Sequence, residues 1–134
     1  MILELGKRYD QEAYIIHGGL HNPSDVYNTY KDKMAGFPDT TYNVIAINTK
    51  NMVTVTKLFP FLPSVRQIMR WAVSNSAVAL FICRNTLGSE LFHKTDKEFV
   101  AKIYNASTVI GIHLLDYLVI GKDKYMSTRE RGLL

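Results

Sequence analysis

The run Ala77-Val-Ala-Leu-Phe-Ile-Cys83 is unbroken by any polar residue and stops at Arg84-Asn85-Thr86. Seven consecutive apolar residues read as a buried strand, and they fall far short of the roughly 20 that a membrane span needs. A polar loop with Gly88, Ser89, Glu90 and His93 follows. Thr95-Asp-Lys-Glu98 then has the spacing of a capping box, which predicts a helix from Thr95. A buried strand that ends in a polar loop leading to a helix start is a favoured place for chemistry. Rigid elements hold the loop, and the helix offers unsatisfied N–H donors.

The remainder of the chain supplies layers around that strand. Ile2–Leu5 and Ala13–Ile16 are short apolar pieces, either of which reads as a strand. Asn22-Pro23 opens a helix, with Asn22 as cap and Pro23 at the first position, where no N–H is needed. Val26, Tyr30 and Met34 give that helix one apolar face, and Gly36 and Pro38 end it. Tyr42–Ile47 and Met52–Leu58 are β-rich around the turn Asn48–Asn51 and predict a hairpin. Ser64 to Asn75 reads as a helix facing inward through Val65, Ile68, Met69 and Ala72. After the buried strand, the helix from Thr95 carries Phe99, Ile103, Ala106 and Ile110 inward and stops at Gly111. Ile112–Ile120 is a further strand, Tyr125-Met126 begins a short one, and Ser127–Glu130 is a second capping-box spacing. The order is β-α-β-β-α-β-α-β-β, a mixed α/β layer architecture expected to form one domain over residues 1–134.

Composition excludes little beyond a membrane span. A single cysteine rules out an intrachain disulfide and fits a core residue in a reducing compartment, so the expected location is the cytoplasm. The net charge of +4 permits weak nucleic-acid binding, but the basic residues are spread out, with Lys122, Lys124, Arg129 and Arg131 the densest group. No membrane partner is implied.

Gly111-Ile-His-Leu-Leu-Asp-Tyr-Leu-Val-Ile-Gly121, followed by Tyr125-Met-Ser-Thr-Arg-Glu-Arg-Gly-Leu-Leu134, closely resembles the end of RadC-family proteins. That ending reads Gly-Ile-x-Leu-Leu-Asp-His-hydrophobic-Ile-Gly, a turn, then Tyr-x-Ser-x-x-Glu-x-Gly-Leu. Val65-Arg-Gln-Ile-Met-Arg-Trp-Ala72, Val44-Ile-Ala-Ile-Asn-Thr-Lys-Asn51 and Pro23-Ser-Asp-Val26 look like earlier segments of the same family. The resemblance spans about residues 20–134. It implies a three-layer, mixed-sheet JAB/MPN-like (cytidine-deaminase-like) α/β fold, without the helix-hairpin-helix segment that usually precedes it.

Active members of the family carry a zinc site of the form His-x-His-Pro-x(6)-Ser-x-x-Asp, with an upstream Glu as general base in related hydrolases. Such a site is open: three protein ligands leave a position for a water that the metal acidifies. Carried onto this chain, the first His falls on Arg84, the central Asn is kept as Asn85, the second His falls on Thr86 and the Pro on Leu87. With one extra loop residue, the Ser falls on Thr95 and the Asp on Glu98, while the upstream Glu lies near Thr40. Tyr117 stands where the family has His after Leu-Leu-Asp. No zinc or other cofactor is therefore expected. The resemblance implies a domain whose hydrolase chemistry is lost and which serves as a binding or scaffolding module, through a protein partner or a second copy, in a family traditionally linked to DNA repair and mobile elements.

Two other readings of the same corner stand beside this one. Arg84, Asn85 and Thr86 at a strand end have the donors to hold an anion, and Arg84 also has Glu98, Glu90 or Asp116 as candidate ion-pair partners. An altered hydrolase would use Glu98 and His93, with Cys83, around a metal or as a metal-free acid/base pair. His21-Asn-Pro-Ser24 echoes the zinc motif but lacks a second His, and it is explained by the helix cap.

Overall fold

The computed structural model describes residues 22–88 and 91–134. The expected strands at Ile2–Leu5 and Ala13–Ile16, the decoy His21, and Ser89 and Glu90 lie outside the described residues. The elements are α1 (Pro23–Ala35), β1 (Tyr42–Ile47), β2 (Val53–Phe59), α2 (Val65–Ser74), β3 (Ala79–Asn85), α3 (Lys94–Ile110), β4 (His113–Ile120) and β5 (Tyr125–Ser127). The strands form one sheet in the order β2-β1-β3-β4-β5. β1 pairs antiparallel with both β2 and β3, while β3 and β4 run parallel with α3 as their crossover.

The apolar run becomes the central strand for a physical reason. β3 is buried at all seven positions, so both of its faces need covering. Its alternate residues divide between two cores. Leu80 and Ile82 join Ile68 and Ala72 of α2 and Phe99, Val100 and Ile103 of α3. Ala79, Phe81 and Cys83 join Val26, Tyr30 and Met34 of α1. The result is three layers: α1, the mixed sheet, then α2 with α3. This is the α/β sandwich that the resemblance implies.

Local chemistry fixes most element ends. The Asn22 side chain accepts from the Asp25 amide at 3.0 Å, and the Asp25 carboxylate accepts from the Asn22 amide at 3.2 Å. Ser64 and Gln67 cap α2 in the same reciprocal way. At the β1–β2 turn, Asn48 Oδ1 accepts from the amides of Lys50 and Met52. Gly111 ends α3 at φ 80°, the left-handed geometry that a residue without Cβ adopts at least cost.

Three expectations need correction. α3 starts at Lys94 with His93 as its cap, so Thr95 and Glu98 do not form the capping box. Both are exposed, and Asp96 takes the third helical position instead. Further along, Ser107 is buried, while Ile110, although only about 20° from Phe99 around the helix axis, is exposed as the last residue of α3. At the C-terminus, residues 128–132 form hydrogen-bonded turns and no helix. Ser127 Oγ does accept from the Glu130 amide at 3.0 Å, but the Glu130 carboxylate bonds the Tyr125 hydroxyl rather than reaching back.

Candidate functional site

β3 ends where the sheet opens toward the start of α3, and its last two side chains point to opposite layers. Arg84 follows Leu80 and Ile82 toward α3. Asn85 points toward α1, where its amide donates to the carbonyls of Met34 and Asp39, and its Oδ1 accepts from the Thr41 amide at 2.7 Å. An asparagine at this position therefore ties the end of α1 and the entry to β1 to the middle strand. It does not join Arg84 and Thr86 in one anion cradle.

Arg84 is 4% exposed, and a buried guanidinium needs its charge and its donors met. Nε donates to Asp96 Oδ1 and Nη2 to Asp96 Oδ2, each at 2.6 Å, a two-pronged pair. Nη1 donates to the Asn85 carbonyl at 3.0 Å and Nη2 to the Leu91 carbonyl at 3.5 Å. Asp96 is 3% exposed and collects two further donors. The Tyr117 hydroxyl of β4 donates to Oδ1 at 2.5 Å, and the His93 amide donates to Oδ2 at 2.8 Å. Of the anticipated partners, Asp116 is taken up elsewhere, accepting from the hydroxyls of Ser127 and Thr128 and from the amides of Tyr117 and Arg129. Glu98 lies exposed on α3, beyond Asp96.

The charges follow from this geometry. Burial works against ionisation of Asp96, yet the Arg84 fork, the Tyr117 hydroxyl and the His93 amide outweigh it and hold the carboxyl below the usual range. Burial likewise opposes the charge on Arg84, and the Asp96 carboxylate reverses that effect and keeps the guanidinium protonated. Tyr117 is raised well above the ordinary phenol value, first by burial and then by the Asp96 charge. Tyr42, opposite Arg84 in the β1–β3 register, is raised by burial, with Arg84 acting against the rise.

In front of the pair lies a cleft of about 480 Å³ lined by Thr40, Tyr42, Arg84, Thr86, Leu87, Gly88, His93 and Thr95. It brings together four of the six residues that the sequence singled out and leaves out Asn85 and Glu98. Glu98 faces a neighbouring groove with Ser64, Gln67 and Lys102. The trio His93, Glu98 and Cys83 is not assembled. Cys83 is fully buried in the core under α1, where burial pushes its thiol up to about 12. The altered hydrolase built on these three groups thus has no common site.

The decisive residue that sequence reasoning missed is Asp96. Its signal was present: His93-Lys-Thr-Asp96 has the Ser-x-x-Asp spacing, cap to third helical residue, with the aspartate retained. It requires a loop one residue shorter than the family motif rather than one longer. The Thr95–Glu98 spacing masked it, because threonine is a strong cap and histidine is not.

Comparison with known proteins agrees with this architecture. The profile of the RadC-like JAB domain matches residues 20–133. The chain belongs to the RadC family. This RadC-like domain is 34% identical over 122 residues to a UPF0758 protein of Symbiobacterium thermophilum, covering 86% of the chain and 52% of that protein. It is 28% identical over 138 residues to a UPF0758 protein of Clostridium botulinum, covering 98% of the chain and 60% of that protein. The RadC-like domain therefore spans little more than half the length of these relatives.

The family's zinc ion can be tested against the groups present. A zinc ligand needs a free lone pair, and the guanidinium at position 84 has none. Position 86 offers only a threonine hydroxyl. Both oxygens of Asp96 are already engaged by Arg84, Tyr117 and the His93 amide. Arg84, Thr86 and the engaged Asp96 do not fit zinc as they stand in this corner. Among the described residues no three His, Cys, Asp or Glu side chains group as a metal site requires, and no helix is long and apolar enough to cross a membrane.

Proposed function

We propose that this chain is a RadC-like JAB domain without zinc-dependent hydrolase activity, working as a binding or scaffolding module. The observation that carries the reading is the two-pronged Arg84–Asp96 pair. It holds a fixed cation at the corner that the resemblance assigns to the family's metal, and it engages the carboxylate that would be that metal's ligand. A hydrolase of the zinc type needs a water polarised by an open metal position and a carboxylate to move its proton. Here the cleft is lined by Thr40, Tyr42, Thr86, His93 and Thr95, and the position of the general base is a threonine. The threonines and Tyr42 donate and accept hydrogen bonds without acting as a Lewis acid, and among the described residues of the lining His93 has no carboxylate beside it to orient it as a base. The cleft is thereby suited to holding a polar surface of another chain rather than to cleaving it. The family's association with DNA repair and mobile elements gives the setting in which such a partner would be met.

The test is metal content with a stability readout. Purified protein is expected to carry no stoichiometric zinc by elemental analysis, and its unfolding midpoint is expected to stay put on adding zinc or a chelator. One bound zinc per chain, removed by a chelator with a fall in midpoint, would overturn the proposal.

A further inference from the structure

We infer that the Arg84 guanidinium is a structural surrogate for a metal ion, cross-linking the same elements through hydrogen bonds that a bound cation would hold through coordination. The inference rests on the reading above that zinc is not used here. Its warrant is the number of chain segments that converge on one cation. Arg84 itself comes from the end of β3. It donates to Asp96 at the start of α3, to the Leu91 carbonyl in the loop before it, and to the carbonyl of Asn85. Asp96 in turn receives the Tyr117 hydroxyl from β4 and the His93 amide from the helix cap. Two parallel strands, a loop and a helix start are thus tied at a point largely shielded from water, since the two side chains are 5% and 2% exposed.

The chemistry of the surrogate is specific. A structural dication binds anionic and neutral donors around one centre; a guanidinium presents five N–H groups in a planar fork and does the same for a carboxylate and carbonyls. One positive charge then faces one carboxylate, so the cluster is neutral, whereas an ammonium at position 84 would supply a point charge without the fork. Tyr117 completes the set. It occupies the family's histidine position, and its hydroxyl reaches Asp96 as a donor, which stabilises the carboxylate further. Phe99 packs edge-to-face on both Tyr42 and Tyr117, with ring centroids 5.7 Å apart in each pair, and holds the phenol in place. Substitutions at positions 84 and 117 therefore act as one unit around a retained aspartate.

The inference predicts interchangeability, and that is how it is tested. In the variant Arg84→His with Thr86→His, zinc chloride and chelator are compared by thermal unfolding and by hydrogen exchange of the amides at 91–96. The variant is expected to unfold at a lower temperature than the parent in chelator, with faster exchange at 91–96. Zinc is expected to raise its midpoint and slow those amides, while leaving the parent unchanged. Arg84→Lys, which keeps the charge and loses the fork, is expected to show the same loss without rescue by zinc. If the double-histidine variant is as stable as the parent in chelator, or if Arg84→Lys is, the guanidinium does not cross-link the corner and the inference fails. If zinc fails to rescue a folded variant, the two are not interchangeable and it also fails. A zinc response in the parent itself would instead remove the functional reading on which the inference rests.

Discussion

Replacing Arg84 by methionine should be among the most damaging single changes in this domain, and its effect should depend on pH in a way that a packing loss would not. Methionine keeps the unbranched stem and removes the charge. Asp96 would remain 3% exposed with only the Tyr117 hydroxyl and the His93 amide as donors. Breaking one side of a buried ion pair costs about 3–5 kcal/mol, because the remaining charge stays out of water without its counter-ion. The two surviving donors place the expected value near the lower end, about 3 kcal/mol. For a domain of this size that is a fall of roughly 10–15 °C in unfolding midpoint at neutral pH. The sign of the pH dependence follows from Asp96. In the parent its carboxyl is held below the usual range, so its contribution is complete above about pH 3.9, the ordinary unfolded value, and is lost as pH falls through the lower folded value. Without the guanidinium, burial dominates and the carboxyl rises above its unfolded value, so the variant is penalised most at neutral pH and relieved on acidification. The stability gap should therefore be widest near pH 7 and narrow toward pH 4, as followed by urea unfolding at a series of pH values. Adding Asp96→Asn should recover about 1–2 kcal/mol in the double-mutant cycle. A gap below about 1 kcal/mol that is flat with pH, together with a coupling within about 0.5 kcal/mol of zero, would refute the argument.

Other substitutions separate the remaining claims. Tyr117→Phe removes one hydrogen bond to a buried carboxylate that keeps its other partners, and urea unfolding should show a loss of about 1.5–3 kcal/mol. Thr95→Ala and Glu98→Ala should each stay within about 0.5 kcal/mol of the parent, since both are exposed and neither caps α3; a loss of about 1 kcal/mol at either would restore the cap that the structure moves to His93 and Asp96. Cys83 should resist thiol reagents at pH 8 in the native state and react only on unfolding, because it is fully buried and its thiol is pushed up to about 12. Gly111→Ala should cost about 1 kcal/mol through its φ of 80° alone, as nothing lies within 4 Å of the added Cβ.

The layer architecture was legible in the sequence because it depends on patterns that survive substitution. The unbroken run at Ala77–Cys83 demanded cover on both faces, and the face Val26, Tyr30 and Met34 supplied one cover while Ile68, Ala72, Phe99 and Ile103 supplied the other. The position of the candidate site was legible too, since it needs only a strand end and a helix start. The partner of Arg84 was not. An ion pair between a strand end and a helix start twelve positions further on has no periodicity, and choosing among Asp96, Glu98, Glu90 and Asp116 requires knowing where the helix begins. The sequence placed the cap two residues late, because a histidine cap lacks the strong side-chain preference that Thr95 advertised. The opposite orientation of Asn85 was readable from strand alternation, but its separate role was hidden by its place inside a contiguous polar triplet.

Adjacent residues at the end of β3 grip different layers: Asn85 holds the end of α1 and the entry to β1, and Arg84 holds the start of α3. This makes the strand tip a mechanical junction. A displacement of the loop after β3 cannot be absorbed on one side of the sheet, because the peptide unit between the two side chains is anchored above and below. Among the described residues the far end of the sheet has no such bolt. There Val73, Val78, Val109 and Ile110 are exposed around the ends of α2 and α3 and the start of β3. Breathing of the domain should accordingly begin at that end, with the sheet splaying like a book whose spine runs through Arg84 and Asn85.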